Sequence, residues 1–104
     1  MIGMTWPQYR RCEVAVSGRV VKLSPQAADL IAFMLIRRGH ALSRGELVEM
    51  LWPNPDREPE WAERQIDVLI HRTRRLIGFG WIEGIWGRGY RLVHDHEFAE
   101  GIAA

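Results

Sequence analysis

Glu63-Arg64-Gln65-Ile66-Asp67-Val68-Leu69-Ile70-His71-Arg72-Thr73-Arg74-Arg75-Leu76-Ile77-Gly78 is the stretch on which the fold turns. On a helical wheel with Arg64 at zero and about 100° per residue, Ala62, Ile66, Leu69, Ile70, Thr73, Leu76 and Ile77 fall between about 120° and 240°. Arg64, His71 and Arg75 lie within about 20° of zero, and Arg72 and Arg74 flank them at about ±80°. The spacing predicts a helix from Glu60 to Ile77, stopped by Gly78, with one apolar and one basic face. Solvated helix faces usually mix signs through Lys–Glu pairs. This face concentrates arginine, and Asp67 is its only acid after Glu63. Arginine fits phosphates and guanine edges bidentately, which lysine cannot do.

Downstream, Trp81 to Ile85 reads as a strand, Gly87-Arg88-Gly89 as a turn, and Tyr90-Arg91-Leu92-Val93 as the return. Upstream, Ser43-Arg44-Gly45-Glu46 is a capping box. It opens a helix carrying Leu47, Val48, Met50 and Leu51, which stops by Trp52-Pro53. Residues 53–60 form an acidic loop with three prolines. Ser24-Pro25 opens an earlier helix, with Ala27, Leu30, Ile31, Met34 and Leu35 at helical spacing. Arg37 and Arg38 suit its last turn and Gly39 its stop. His40-Ala41-Leu42 is a short extended link. Cys12, Val14 and Val16 alternate with Glu13 and Ala15 before a Ser17-Gly18 turn. Val21 and Leu23 then alternate with Lys22, which predicts an N-terminal hairpin with Cys12 on its core face.

The expected fold is α+β. It is a winged helix-turn-helix: three helices, a short N-terminal antiparallel hairpin and a C-terminal β-hairpin wing. The helix before the wing stands where a recognition helix would. The domain is expected over residues 12–93. Residues 1–11 have little periodicity, and Trp6-Pro7 suggests an irregular or edge segment. Residues 94–104 read as a frayed acidic tail.

The chain has 104 residues, 47% hydrophobic and 26% charged, with one cysteine. That suits one globular domain and excludes an internal disulfide. There is no signal peptide and no 18-residue apolar run, so the expected location is the cytoplasm, at the nucleoid, with no membrane partner. The net charge of +1 taken alone argues against nucleic-acid binding, but it hides segregation. Residues 1–45 carry +5, 46–63 carry −5, 64–91 carry +4 and 92–104 carry −3. Local fields of this kind steer partners more than the total does.

Other chemistry is weak. His94-Asp95-His96-Glu97 could converge on a metal, but a solvated tail accounts for it, and no metal or other cofactor is expected. Gly84-Ile85-Trp86-Gly87-Arg88-Gly89 is glycine-rich, yet a tight hairpin explains it and no phosphate-binding lysine follows. No nucleophile–base or carboxylate pair stands out, so no enzyme is expected. Five tryptophans include Trp52 and Trp61, which flank the acidic loop. Core packing is the plain reading. The sharper one makes Trp52, Asp56, Glu58 and Trp61 a protein-docking surface, since aromatic residues are enriched at interface cores.

The chain resembles the OmpR/PhoB-type winged-helix effector domain of response regulators. The resemblance rests on Val21-Lys22-Leu23-Ser24-Pro25, Ser43-Arg44-Gly45-Glu46-Leu47 with Leu51-Trp52, Arg64 to Leu76, and Ile82 to Leu92. It covers about Cys12 to Val93. It implies a bacterial or phage transcription factor that binds promoter or operator DNA sequence-specifically, as dimeric or tandem copies. It also implies that the loop between the second and third helices touches RNA polymerase. By position, Arg64, Gln65, Asp67, His71, Arg72, Arg74 and Arg75 would face the major groove. Arg72 matches the family's main base-reading arginine, and the other cations would mainly hold phosphates. Arg44 joins the DNA-facing set.

Departures from the family pattern carry their own expectations. No receiver domain is expected, since 104 residues leave no room for one beside the effector domain. Two strands, against the family's usual four or so, are counted before the first helix. Trp86 stands where the family has a wing arginine that enters the minor groove. Arg88 could take over that contact, while Trp86 packs against DNA sugars or finishes the core; a packing role is expected for Trp86, with Arg88 taking the contact. The competing reading of the whole chain is a winged helix that binds RNA polymerase or another regulator through the acidic loop 53–60.

Overall fold

The N-terminal segment is folded, because Ile2 needs a buried place and finds it. In the computed structural model, which describes residues 1–93, β1 (Ile2–Gly3) pairs antiparallel with β2 (Glu13–Val16), placing Ile2 opposite Val16. Strand β2 pairs with β3 (Arg19–Lys22) through the turn at Ser17-Gly18. The sheet is thus three-stranded, in the order β1-β2-β3. Val14 and Val16 point to the core, as their alternation implies. Cys12 is half-buried in the left-handed backbone region just before β2 and packs against the core's edge.

Trp6-Pro7 is not irregular. It opens α1 (Trp6–Arg10), capped by Thr5 in a box with Gln8. The Thr5-x-x-Gln8 spacing is a sequence signal for that start. Helix α2 (Pro25–Ile36) begins at the Ser24 cap and buries Ala27, Ala28, Leu30, Ile31 and Met34. It packs against α1, β2 and the two later helices, so it is the centre of the core. Helix α3 (Arg44–Leu51) starts with the full Ser43–Glu46 capping box. Both caps satisfy amide donors that the first turn would otherwise leave open.

A single 3₁₀ turn, Pro55–Arg57, interrupts the acidic loop. Helix α4 (Ala62–Ile77) then begins two residues later than its spacing predicts. Trp61 precedes it in the left-handed region, with no side-chain cap. Ala62, Ile66, Leu69, Ile70, Thr73 and Ile77 are buried, as the wheel requires. Leu76, expected on that face, is instead 45% exposed. It sits near 120° on the wheel, at the edge of the apolar stripe, where the core no longer reaches. The buried Thr73 hydroxyl donates to Leu69 O at 2.8 Å, so a polar group in the core is satisfied.

The wing is β4 (Ile82–Ile85) paired with β5 (Gly89–Leu92). Leu42, fully buried, adds one bridge to its edge: Leu42 N donates to Tyr90 O at 2.8 Å and Tyr90 N to Leu42 O at 2.9 Å. The link at His40-Ala41-Leu42 thereby ties the α2–α3 junction to the wing. Among the described residues, four α-helices in place of three and a three-stranded N-terminal sheet are the differences from the expected architecture. Among the described residues no helix is long and apolar enough to cross a membrane.

Candidate nucleic-acid interface

Helix α4 presents its outer face because its inner face is locked. Burying Ile66, Ile70 and Ile77 contributes about 1.5–3 kcal/mol each by transfer from water. That fixes the rotation of the helix about its axis. Arg64, Gln65, His71, Arg72 and Arg75 are then all exposed. Among the described residues none of these arginines makes an ion pair with a carboxylate. The Arg64 guanidinium lies over the Trp61 ring, 5.6 Å from its centroid, so the left-handed Trp61 restrains it. His71 meets Phe79 edge-on at 6.3 Å. Val68, 44% exposed, sits amid this row at about 40° on the wheel. Its wheel position alone would have flagged it.

Three of the expected DNA-facing residues have other commitments. Arg74 donates through Nε and Nη2 to Ile82 O, at 3.0 and 2.8 Å. It also stacks over Tyr90 at 5.6 Å. The expectation that Arg74 faces outward to hold phosphate is corrected, because its wheel position puts it beside the wing strand. Asp67 Oδ1 accepts from Arg44 Nε at 2.9 Å and from the Tyr90 hydroxyl at 2.7 Å. Asp67 therefore joins α3, α4 and the wing, and its charge is matched by Arg44. Arg44 remains half-exposed while paired. Tyr90, which sequence reasoning missed, is the hub of all these contacts. Burial raises the Tyr90 phenol above its ordinary pKa, and the hydrogen bond to Asp67 adds to the rise.

The expectation that Trp86 finishes the core is overturned: its side chain is 99% exposed at the wing tip. The reason is local. Gly87 takes a φ of 72° and turns the chain before the indole can reach the core. Arg88 is also exposed at the tip, and its N–H closes the turn onto Ile85 O at 2.9 Å. Trp86 and Arg88 line one open cleft with Arg44, Glu63 and Tyr90.

The acidic loop is less of a unit than expected. Trp52 is half-buried against the core. Trp61 is 74% exposed and shares a shallow groove with Glu58, Val48 and Arg64. Asp56 stands apart on the 3₁₀ turn, its N–H held by Asn54 Oδ1. His94 and His96 lie outside the described residues, and no candidate metal cluster occurs among the described ones.

An arginine-lined helix laid against a β-hairpin wing defines a winged-helix domain. Residues 18–92 match the family described as "Transcriptional regulatory protein, C terminal", and the chain belongs to that family. It is 35% identical over 82 residues to the transcriptional regulatory protein CseB of Streptomyces coelicolor, covering 77% of this chain and 33% of that protein. The chain spans about a third of the length of the curated relatives it matches. Among solved structures, the C-terminal domain of the nisin resistance regulator NsrR superposes with a TM-score of 0.69 at 26% identity, over 88% of this chain and 89% of that one. The AdeR DNA-binding domain, solved with an intercistronic region, gives 0.70 at 21% identity, over 89% and 93%. At that identity AdeR speaks for the fold alone. The names of these relatives describe transcriptional regulators and, for AdeR, a DNA-binding domain.

Proposed function

We propose that this domain regulates transcription by binding duplex DNA sequence-specifically. Helix α4 enters the major groove, and the wing, residues 84–91, lies on the backbone and minor groove. The observation that carries this is the exposed row of Arg64, His71, Arg72 and Arg75, whose arginines form no ion pair with a carboxylate among the described residues. Arg72 reads a guanine edge, and Gln65 and Val68 flank it, the latter suited to a thymine methyl. Arg64, His71, Arg75 and Arg88 hold phosphates and set the register. Arg44, Asp67 and Arg74 position the helix and wing and do not read bases. The family match and the relatives' names support the same reading. One recognition helix reads a short half-site, so dimeric or tandem binding supplies useful specificity. The site of action is the nucleoid, in the cytoplasm.

The test is selection from a random duplex pool, followed by binding at several salt concentrations. Arg72→Ala should cost about 1–3 kcal/mol on the selected site and relax one position. Arg75→Ala should weaken all sequences evenly and lower the salt slope by about 1. No duplex binding at low salt would sink the proposal.

A second role, contact with RNA polymerase, is favoured by Trp61, which stands 74% exposed beside Glu58. Capture of polymerase should fall when Asp56 and Glu58 are reversed in charge. Unchanged capture counts against the loop. Polymerase capture with no DNA binding would favour a pure protein-interaction module.

A further inference from the structure

Helix α2 carries apolar residues on every side. Gln26 and Asp29 are its only polar residues. A helix of that kind belongs in an interior. Its inner side is in one: Ala27, Ala28, Leu30, Ile31 and Met34 are buried against the rest of the domain. Its outer side is not. On a wheel with Asp29 at zero, Ala32, Phe33 and Ile36 lie within about 60°. Ala32 and Phe33 are half-buried, and Ile36 is 78% exposed. Helix α1 extends this face at one end. The Tyr9 hydroxyl donates to Asp29 Oδ1 at 2.5 Å, and Trp6 stacks on Tyr9 at 5.5 Å while 68% exposed. At the other end stands Arg37, exposed, with a longer-range attraction to Glu46 but no ion pair with a carboxylate among the described residues.

We propose that the outer face of α2, with Trp6, binds the same face of a second copy of this chain. The charges select that occupant and its direction. Asp29 and Arg37 lie about 6 Å along the axis on either side of Phe33. An antiparallel two-fold through Phe33 sets Asp29 against the partner's Arg37, twice, and brings Ile36 to the partner's Trp6. A parallel pair would oppose like charges instead. The helix face is about 18 Å long and about 10 Å wide. With α1 it falls short of the about 800 Å² per partner of a standard interface, so the dimer is weak, dissociating on the order of 100 μM. Because α4 packs on the inner side of α2, the two copies stand back to back. Their arginine rows point apart and both stay free. The pairing stands whether or not α4 binds DNA.

The experiment is sedimentation equilibrium of the intact chain without DNA, from about 10 μM to about 1 mM, with thermal unfolding alongside. Wild type should pass from monomer to dimer across that range, and less completely at high salt. Ile36→Ser should raise the dissociation constant about fivefold and Arg37→Glu about tenfold. Both side chains are exposed, so the unfolding temperature should not move. Val20→Ser removes another exposed apolar side chain, on β3, and should leave dissociation unchanged. With the selected duplex in excess, the dimer should persist and carry one duplex per copy. A monomer throughout the range overturns the pairing. So does equal weakening by Val20→Ser, association that Arg37→Glu leaves intact, or a duplex that splits the dimer. A dimer that binds no duplex overturns the DNA-binding reading and supports the pairing.

Discussion

Arg74 lies 5.6 Å over the ring of Tyr90 and at the same time gives two N–H bonds to Ile82 O. One side chain of α4 thus grips both strands of the wing. A planar guanidinium can stack and donate together, and a lysine ammonium cannot. The angle between α4 and the wing is set here.

Arg74→Ala should accordingly behave as a stability mutant. The loss of a charge-assisted bond to a half-buried carbonyl is expected to cost about 2 kcal/mol by urea unfolding. Arg74→Lys should recover less than half of it. The salt slope of DNA binding should stay near wild type. Arg75→Ala should do the reverse, with stability unchanged within about 0.5 kcal/mol and a shallower slope. A slope change in Arg74→Ala matching that of Arg75→Ala would return Arg74 to the phosphate-binding set.

Gly89 makes the wing's docking possible. It sits at a φ of 124°, and a Cβ there would lie 2.0 Å from Leu42 O. Gly89→Ala should therefore cost about 3 kcal/mol or more, through strain and loss of the Leu42–Tyr90 bridge. Gly87 also has a positive φ, 72°, but open space around it. Gly87→Ala should cost only about 1 kcal/mol. Thermal unfolding of the two variants checks the contrast, and equal losses would count against the close approach as the cause.

The parts of the fold legible in the sequence are those set by short-range chemistry. Ser24-Pro25 and the Ser43–Glu46 box fix two helix starts to the residue. The period of α4 fixes its buried face, Leu76 excepted. Strand β1 is two residues long and has no period to read. Helix α1 was marked by Thr5 and Gln8, but five residues give little apolar spacing. The outer face of α4 was legible where side chains face solvent, as at Arg72 and Arg75. It was illegible where a second element decides. Arg74 and Asp67 look like any polar residues on the wheel until the wing brings Tyr90 and Ile82 to them. Trp86 reads as core by residue type, and the turn at Gly87 overrules type.

The Ser43–Glu46 box should be visible in acid. The Ser43 N–H donates to the Glu46 carboxylate at 3.0 Å, and this, then the Ser43 side chain, holds that carboxyl below its ordinary range. A depressed carboxyl contributes stability above the unfolded value, near 4.5, and loses it as pH falls through the folded value. Glu46→Gln should flatten the acid limb of a stability–pH curve below about pH 4.5. An unchanged limb would place the acid sensitivity elsewhere.

The alkaline limb tests the hub itself. Burial and the bond to Asp67 raise the Tyr90 phenol above its usual value of 10.0. A raised pKa means that the folded chain holds the proton more tightly than the unfolded one. That stabilisation is complete below pH 10 and is lost as pH climbs through the folded value. The phenolate would face the Asp67 carboxylate, to which the phenol had donated, so the helix–wing junction should loosen with it. Tyr90→Phe removes both the titration and the hydrogen bond. It should be less stable than wild type at pH 7, and the difference should narrow above pH 10. Tyr9 titrates in the same window, raised by its hydrogen bond to Asp29 and by that residue's charge. Tyr9→Phe is therefore the control, and it should narrow the same limb without altering DNA binding. Parallel stability–pH curves for wild type and Tyr90→Phe across pH 9–12 would show that Tyr90 contributes no such proton linkage.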